Sequence, residues 1–149
     1  MSTSTRSSPR DKVVNVQIDQ LVSEYLSALE GSDSNRVLGL FAPGGTVESP
    51  LYGTMPATEF YPALFADTAE SRLSLKATMR GQADGHTVVS FWFDFDWVLA
   101  NGEPAPFTVV DVAELNPHGM ITKLHIVYDT APLREAFQRV HTGTALTGN

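Results

Sequence analysis

An aspartate within an apolar stretch is the residue of this sequence that most clearly indicates chemistry. Asp111 lies in segment 107–115 (FTVVDVAEL), whose alternating side chains predict a strand. A carboxylate on an apolar face either finds hydrogen-bond donors or stays protonated, because burial of an unpaired charge is costly. The alternative is an aspartate at an edge or bulge that reaches water. The residues on its face of the strand are Phe107, Val109, Ala113 and Leu115.

Two more aspartates alternate with aromatic residues in segment 90–98 (SFWFDFDWV). One face of this strand carries Phe91, Phe93, Phe95 and Trp97, and the other carries Trp92, Asp94, Asp96 and Val98. Alternation alone favours the aromatic row in the core and the aspartates in water. The alternative turns the aspartate face into a pocket, where two crowded carboxylates away from water can provide a base near neutral pH.

Other chemistries have weaker support. The histidines stand at no metal-ligand spacing, so no metal site is expected. No serine lies in a nucleophile-elbow context, and the absence of cysteine excludes a disulfide framework and thiolate chemistry. No nucleotide-binding motif is present, so no cofactor is expected. The histidines are His86, His118, His125 and His141.

Composition restricts the partners. The chain of 149 residues has the size of one domain, and seventeen Asp and Glu against ten Lys and Arg give a formal net charge of −7. An acidic chain without a basic run disfavours nucleic acid as a partner. No apolar run approaches the ~20 residues that cross a bilayer, and the polar first residues do not resemble a secretory signal. We therefore expect a cytoplasmic protein without membrane association.

Hydrophobic periodicity predicts helices in the first part of the chain. A spacing near 3.6 residues predicts a helix over 16–30 and a short second helix that includes Phe41 and is broken at Pro43. Residues 46–49 are predicted to form a short strand. A third helix is expected to begin at Thr58, which is a suitable N-cap.

The period changes to two after Asp67, which predicts four long strands in a meander. Pro132 suits the first turn of a last helix that ends near Val140. The predicted strands cover 72–80, 86–99, 107–115 and 120–129. On the first of them, the residues expected to share the buried face are Leu73, Leu75, Ala77 and Met79.

This order of elements is typical of an α+β fold with helices on one face of a curved antiparallel sheet. We expect a flexible N-terminal arm over 1–15, a single domain over 16–141 and a flexible tail over 142–149.

Several segments, in their order and spacing, resemble ketosteroid isomerase over residues 16–130. The superfamily of the isomerase, with a nuclear-transport-factor-like cone fold, includes SnoaL-like polyketide cyclases and limonene epoxide hydrolase. The resemblance implies a cone-shaped curved sheet with three N-terminal helices packed on it and a C-terminal helix. The matching segments are 25–33 (YLSALEGSD), 40–50 (LFAPGGTVESP), Phe60–Tyr61, Asn101–Gly102 before Asp111, and 116–122 (NPHGMIT).

The resemblance implies a role for each matching residue. Tyr25 and Asp111 match the oxyanion hole of the isomerase, a tyrosine hydroxyl and a protonated aspartic acid. Tyr61 matches the tyrosine that supports the first one, and Tyr128 falls where the isomerase has a pocket tryptophan. The general base of the isomerase is replaced by Ser49, whose hydroxyl cannot accept a proton at neutral pH without its own base. The parent reaction is therefore not expected to run in the parent way.

The aspartate face of segment 90–98 falls on the pocket-lining face of the isomerase. In a comparison with limonene epoxide hydrolase, Asp94 of this sequence matches one of the two catalytic carboxylates of that enzyme. However, three other residues of the hydrolase site are replaced. Its bridging arginine is Trp92 here, its second aspartate is Ile126, and its water-positioning asparagine is Ser49. Neither active site is copied whole.

These matches predict an enzyme that acts on a small, largely apolar, uncharged molecule. Asp94 or Asp96 is expected to be the base, while Asp111 and Tyr25 donate hydrogen bonds to a developing oxyanion, which suits isomerisation or cyclisation of a carbonyl-type substrate. The alternatives are an epoxide hydrolase or epoxide-opening cyclase, with Ser49 orienting the nucleophile, and a non-catalytic ligand-binding module. The expected substrate contacts are Ser49, Tyr61, Trp92, Val98, Val109, Ile126 and Tyr128.

The inward orientation of Asp94 and Asp96 also has a consequence for the oligomeric state. With the aspartates inward, the aromatic row of segment 90–98 is an exposed apolar patch unless a second subunit covers it. We therefore expect a homodimer through the outer face of the sheet.

Overall fold

A helix of 22 residues, α1 (Pro9–Glu30), begins the part of the chain that the structure describes. This structure is a computed structural model and describes residues 9–142, with side chains from residue 15 onward. The helix begins before Val16, where the sequence pattern placed its start, and a proline suits the first turn of a helix. Residues 1–8 of the expected arm and 143–149 of the expected tail lie outside the described residues.

The remaining elements form one six-stranded sheet with three more helices. The strand order is β2-β1-β6-β5-β4-β3, in which β1 and β6 are parallel and all other neighbours are antiparallel. The α+β class and the meander of four long strands are confirmed. The elements are α2 (Ser34–Leu38), β1 (Phe41–Ser49), β2 (Gly53–Pro56), α3 (Ala57–Ala66), β3 (Thr68–Ala83), β4 (His86–Leu99), β5 (Phe107–Leu115), β6 (Ile121–Val127) and α4 (Arg134–Thr142).

The start of β1 differs from the prediction, which placed Phe41 in the second helix. That helix ends at Leu38, and the segment from Pro43 to Gly45 lies within β1 as an irregularity between two stretches paired with β6. A Cβ atom on Gly45 would lie 2.8 Å from the Phe41 ring and 3.1 Å from the Ile121 carbonyl oxygen. The glycine therefore permits the close approach of β1 to β6.

The pairing of β4 with β5 decides which side chains enter the core. Phe91 pairs with Asp111 and Phe93 with Val109, so these residues share one face of the sheet, here called the inner face. All four members of the aromatic row are at most 6% exposed. The predicted inward orientation of Asp94 and Asp96 is wrong. The aromatic side chains bury far more apolar area than the opposite face offers, and that face carries two carboxylates.

The opposite, outer face of β4 carries the aspartates together with Trp92 and Val98, so the latter two are not part of an interior pocket either. Asp94 accepts a hydrogen bond of 2.7 Å from the Thr108 hydroxyl and lies 3.5 Å from the Lys76 ammonium group. That ammonium group also lies 5.1 Å from the centre of the Trp92 ring, whose side chain is 41% exposed. These groups form a polar surface network around an exposed indole.

A bulge in β3 changes the faces of its residues. The pairing with β4 shifts between Leu75 and Ala77, so Leu73 and Leu75 lie on the inner face whereas Ala77 and Met79 lie on the outer face. The prediction that all four share one face is wrong for this reason. The bulge also completes a row of apolar side chains in register across four strands of the outer face. This outer apolar row consists of Ala77, Trp92, Val110 and Val127.

Candidate active site

A cavity of about 40 Å³ lies on the inner face of the sheet, between the strands and helices α1 and α3. A space of this size accommodates a few water molecules, so a larger ligand requires the wall to adjust. The lining residues with polar groups include Tyr25, Ser49, Asp111 and Tyr128. Much of the remaining wall is aromatic, with Tyr52, Phe60, Phe93, Phe95, Trp97 and Phe107.

Asp111 is the acidic group of this wall. It lies in the middle of β5, is 2% exposed, and its Oδ1 atom has no hydrogen-bond partner among the described residues. Among the described residues that line the cavity, there is no second carboxylate and no histidine, lysine or arginine. An unpartnered polar atom in an apolar cavity is costly, which makes Asp111 the natural contact point for a ligand.

Two buried tyrosines stand beside this carboxyl group. Tyr25 lies on the buried face of α1, and its hydroxyl oxygen is 2.8 Å from that of Tyr61 on α3. Tyr25 and Asp111 both line the cavity, and each group shifts the pKa of the other. The ring of Tyr25 packs edge-on against that of Phe91, with centroids 5.4 Å apart. Tyr61 itself does not line the cavity, since it lies behind Tyr25.

Burial sets the protonation of this group of side chains. Desolvation raises the pKa of Asp111 well above its usual range, and the hydrogen bond from Tyr25 opposes this only in part. Burial also raises the pKa of Tyr25 and of Tyr61. Burial therefore favours the uncharged forms of all three groups, which can donate hydrogen bonds, and two of them, Asp111 and Tyr25, line the cavity.

A second polar pair occupies the ends of the two parallel strands. Ser49 is the last residue of β1, and Tyr128 directly follows β6. The Ser49 hydroxyl oxygen accepts a hydrogen bond of 3.3 Å from the Tyr52 backbone N–H. Burial raises the pKa of Tyr128 to about 12, an effect that the contact with Ser49 opposes. The Tyr128 ring packs on Phe107 with centroids 4.5 Å apart.

Tyr52 and its neighbours are a part of the wall that the sequence analysis missed. The Tyr52 hydroxyl donates to Asp67 Oδ2 at 2.5 Å, and the same oxygen lies 2.7 Å from His141 Nε2 on α4. The Tyr52 ring packs edge-on against Phe137 of α4, with centroids 5.1 Å apart. No local sequence signal could have found this cluster, because its members come from three distant segments.

The structure divides the predicted site residues into three groups. Tyr61 supports Tyr25 from behind the wall. Those that line the cavity are Tyr25, Ser49, Val109, Asp111, Ile126 and Tyr128. Those on the outer face are Trp92, Asp94, Asp96 and Val98.

Residues 9–142 contain no helix that is long and apolar enough to cross a membrane. In the same part of the chain, no three acidic or histidine side chains are placed to hold a metal ion together.

No protein-family model matches the chain, and no curated protein does. Solved structures, in contrast, resemble it over most of its length. An NTF2-like superfamily protein from Salmonella enterica serovar Typhimurium is 22% identical, with a TM-score of 0.66, and the match covers 78% of this chain and 91% of that one. These values establish likeness of fold.

Two further solved structures are similar in fold. SalBIII is called an epoxide hydrolase/cyclase-like enzyme in pyran ring formation; it is 18% identical, with a TM-score of 0.67, over 79% of this chain and 95% of that one. TerC, crystallised with polyporic acid, is 16% identical, with a TM-score of 0.66. The match covers 82% of this chain and 98% of that one. The chain therefore has the cone-shaped fold of the NTF2-like superfamily, as the resemblance implied.

Proposed function

We propose that this protein is an enzyme that binds a small, neutral, largely apolar molecule in the cavity and uses Asp111 as its acid. The observation that carries this proposal is the buried Asp111 carboxyl group in an aromatic cavity, one oxygen atom of which has no hydrogen-bond partner in the described part of the chain. With Tyr25 beside it, the group can donate hydrogen bonds to a substrate oxygen that gains negative charge. Strongly perturbed carboxyl groups in a cavity favour such a role.

The character of the wall favours a substrate without charge. A negatively charged group would face no cation among the described lining residues, and the aromatic rings offer it no solvation. A neutral ligand with an acceptor oxygen satisfies Asp111 and replaces water on apolar rings.

The reaction we propose is ring closure assisted by an acid. Since Asp94 and Asp96 lie on the outer face, Asp111 is the one carboxyl group among the described residues that line the cavity, and we assign the role of nucleophile to a hydroxyl group of the substrate. In the closure of an epoxy-alcohol, this hydroxyl forms a new C–O bond while the C–O bond of the epoxide breaks. Asp111 gives its proton to the epoxide oxygen, and the proton of the attacking hydroxyl returns to Asp111.

The first test is binding of substituted phenols and naphthols, followed by ultraviolet absorbance, to the wild type and to Asp111→Asn. We expect affinity to rise with the acidity of the phenol, because a more acidic phenol is closer in charge to the oxyanion. Asp111→Asn should reduce this slope, and Asp96→Asn, which alters an exposed aspartate, should retain it. Affinity that is independent of acidity in the wild type would contradict the proposed acid.

Turnover is tested separately with a set of simple epoxides and epoxy-alcohols, analysed by gas chromatography. We expect cyclic ethers from the epoxy-alcohols and a fall of about 10²–10³-fold in rate for Asp111→Asn, the usual effect of removing one group that stabilises an oxyanion. Binding of phenols without turnover of any substrate would instead favour the non-catalytic module.

We also propose that the protein forms a homodimer, now through the outer apolar row rather than through the aromatic row of β4. Trp92 and Val127 are 41% and 57% exposed in the middle of this face. Positively and negatively charged side chains flank the row, namely Lys76, Lys123, Glu48 and Glu114. A two-fold axis can place a positive charge of one copy opposite a negative charge of the other.

Sedimentation velocity at micromolar concentration tests this assembly. The wild type should sediment as a dimer, and Trp92→Glu should raise the dissociation constant at least about tenfold, because it removes the largest apolar group of the row. Val16→Glu is the matched control, since Val16 is 55% exposed on α1 and lies away from this face. A wild-type protein that is monomeric at every concentration would contradict the homodimer.

A further inference from the structure

One residue of the cavity wall is held from outside the cavity. Tyr52 lies in the turn between β1 and β2, and its hydroxyl donates a hydrogen bond of 2.5 Å to Asp67 Oδ2 at the end of α3. Asp67 is not among the residues that line the cavity, and its side chain is 13% exposed. His141 Nε2 on α4 lies 2.7 Å from the same oxygen. The carboxyl group of Asp67 therefore links the turn to the end of α3 and to α4.

The ring of Tyr52 is packed as well as bonded. It lies edge-on against Phe60 of α3 and Phe137 of α4, with centroids 5.4 and 5.1 Å apart. Phe137 also packs against Trp97, another residue of the cavity wall, with centroids 6.4 Å apart. Helix α4 thus forms a layer behind this part of the wall. Displacing Tyr52 is costly, because it breaks a hydrogen bond to a carboxylate, which is stronger than one between neutral groups.

The cavity admits a ligand only if its wall moves. Its volume of about 40 Å³ is much smaller than the roughly 150 Å³ in which a protein cavity holds benzene. The deep end is closed, because Asp111 and Tyr25 are at most 2% exposed. In contrast, three aromatic lining residues are half-buried, and we call them the rim: Tyr52, Phe107 and Tyr128. A ligand anchored at Asp111 therefore extends toward the rim.

The rim residues differ in what holds them. Phe107 is the first residue of β5, and the Tyr128 ring packs on it with centroids 4.5 Å apart, so both are tied to the sheet. Tyr52 belongs to a turn, and its hydroxyl is bound by a carboxyl group outside the sheet. The position of the Tyr52 ring therefore depends on this polar contact.

We propose that Tyr52 sets the upper size limit of the ligand, and that Asp67 is its positioning residue. Held by Asp67, the Tyr52 ring narrows the rim and disfavours molecules larger than a single ring. Released from Asp67, it moves toward solvent at lower cost and admits larger molecules. The inference rests on the proposed function, because it assigns the size class of the substrate of the same cavity: a compact epoxy-alcohol.

Two phenols of similar acidity and different size test this inference by calorimetry. Phenol has one ring and 2-naphthol has two, so the ratio of their dissociation constants reports the size preference. Asp67→Ala and Tyr52→Phe remove opposite ends of the same hydrogen bond. Each should shift the ratio about tenfold in favour of 2-naphthol, because displacing the ring no longer breaks a bond to a carboxylate. The double variant should shift it no further, since both changes remove one interaction.

Glu103→Gln is the matched control. The Glu103 carboxylate accepts a hydrogen bond of 2.9 Å from Arg139 Nε of α4, so this variant loosens the same helix while the Tyr52 hydrogen bond stays. It should keep the wild-type ratio. An equal shift in Glu103→Gln would overturn the role of Asp67, because loosening of α4 would then be sufficient.

The outcomes separate this inference from the proposed function. An unchanged ratio in both Asp67→Ala and Tyr52→Phe would overturn the size limit, even if affinity still rises with the acidity of the phenol. Affinity independent of acidity in the wild type, together with a shifted ratio in these variants, would mean that the proposed acid fails and the size limit stands. If Asp67→Ala does not fold, Tyr52→Phe, which removes a single oxygen atom, decides by the same ratio.

Discussion

Replacing Asp111 by asparagine should make the free energy of unfolding much less dependent on pH. Burial holds the pKa of Asp111 well above its usual range in the folded protein, whereas in the unfolded chain it is about 3.9. Folding therefore favours the protonated form of Asp111. Below the unfolded-state pKa both states are protonated and the group costs no proton uptake; as pH rises toward the folded-state pKa, stability is lost at about 1.4 kcal/mol for each pH unit.

Urea unfolding of the two proteins at pH 5, 6 and 7 measures this effect. Both proteins contain the same other titrating groups. Their contributions therefore cancel when the free energy of unfolding of the variant is subtracted from that of the wild type. We expect the wild type to lose stability relative to Asp111→Asn over this range, whatever constant offset the amide introduces. Asp96→Asn, which also removes one carboxyl group, should follow the wild type. Parallel curves for wild type and Asp111→Asn would contradict a buried carboxylic acid.

Removing the Tyr25 hydroxyl should destabilise the fold more than removing the Tyr61 hydroxyl. In Tyr25→Phe, Tyr61 loses its partner at 2.8 Å and Asp111 loses its neighbouring donor, so two buried polar groups are left. We expect a loss of about 2–4 kcal/mol in the free energy of unfolding, against about 1 kcal/mol for Tyr61→Phe, which leaves Tyr25 in reach of Asp111.

A double-mutant cycle makes this prediction sharper. Tyr25→Phe with Tyr61→Phe should be no less stable than Tyr25→Phe alone, because the second change removes the hydroxyl that the first one left unpaired. Guanidinium unfolding of the four proteins gives the coupling. Additive losses would show that the two hydroxyls do not depend on each other.

The sequence by itself determined most of the elements and the acidic residue of the site. The buried face of α1, with Ile18, Val22, Tyr25 and Leu29, follows from spacing near 3.6, which acts between neighbouring turns. Asp111 is recognisable because one carboxylate interrupts the apolar face of its strand. Both signals are local, because they depend on the spacing of neighbouring residues and not on contacts with distant parts of the chain.

Only the tertiary structure decided which face of β4 looks inward. Alternation separates the aromatic row from the aspartates but does not say which of the two is buried, and a shift of one residue in pairing exchanges them. Asp111 and Asp94 cannot both face inward in this sheet. The register pairs Asp111 with Phe91, and Asp94 lies on the opposite face of β4 from Phe91. That register depends on the β4–β5 connection and on burial of four aromatic side chains, neither of which alternation reports.

The second part of the cavity wall shows the same limit. Tyr52, Asp67 and His141 meet because α4 packs against Tyr52 beside the end of α3, and Ser49 and Tyr128 line the same cavity because β1 and β6 are parallel neighbours. Contacts between segments so far apart depend on the path of the whole chain. The sequence thus determined which residues have the chemistry, and the packing of the sheet against its helices decided which of them face the same cavity.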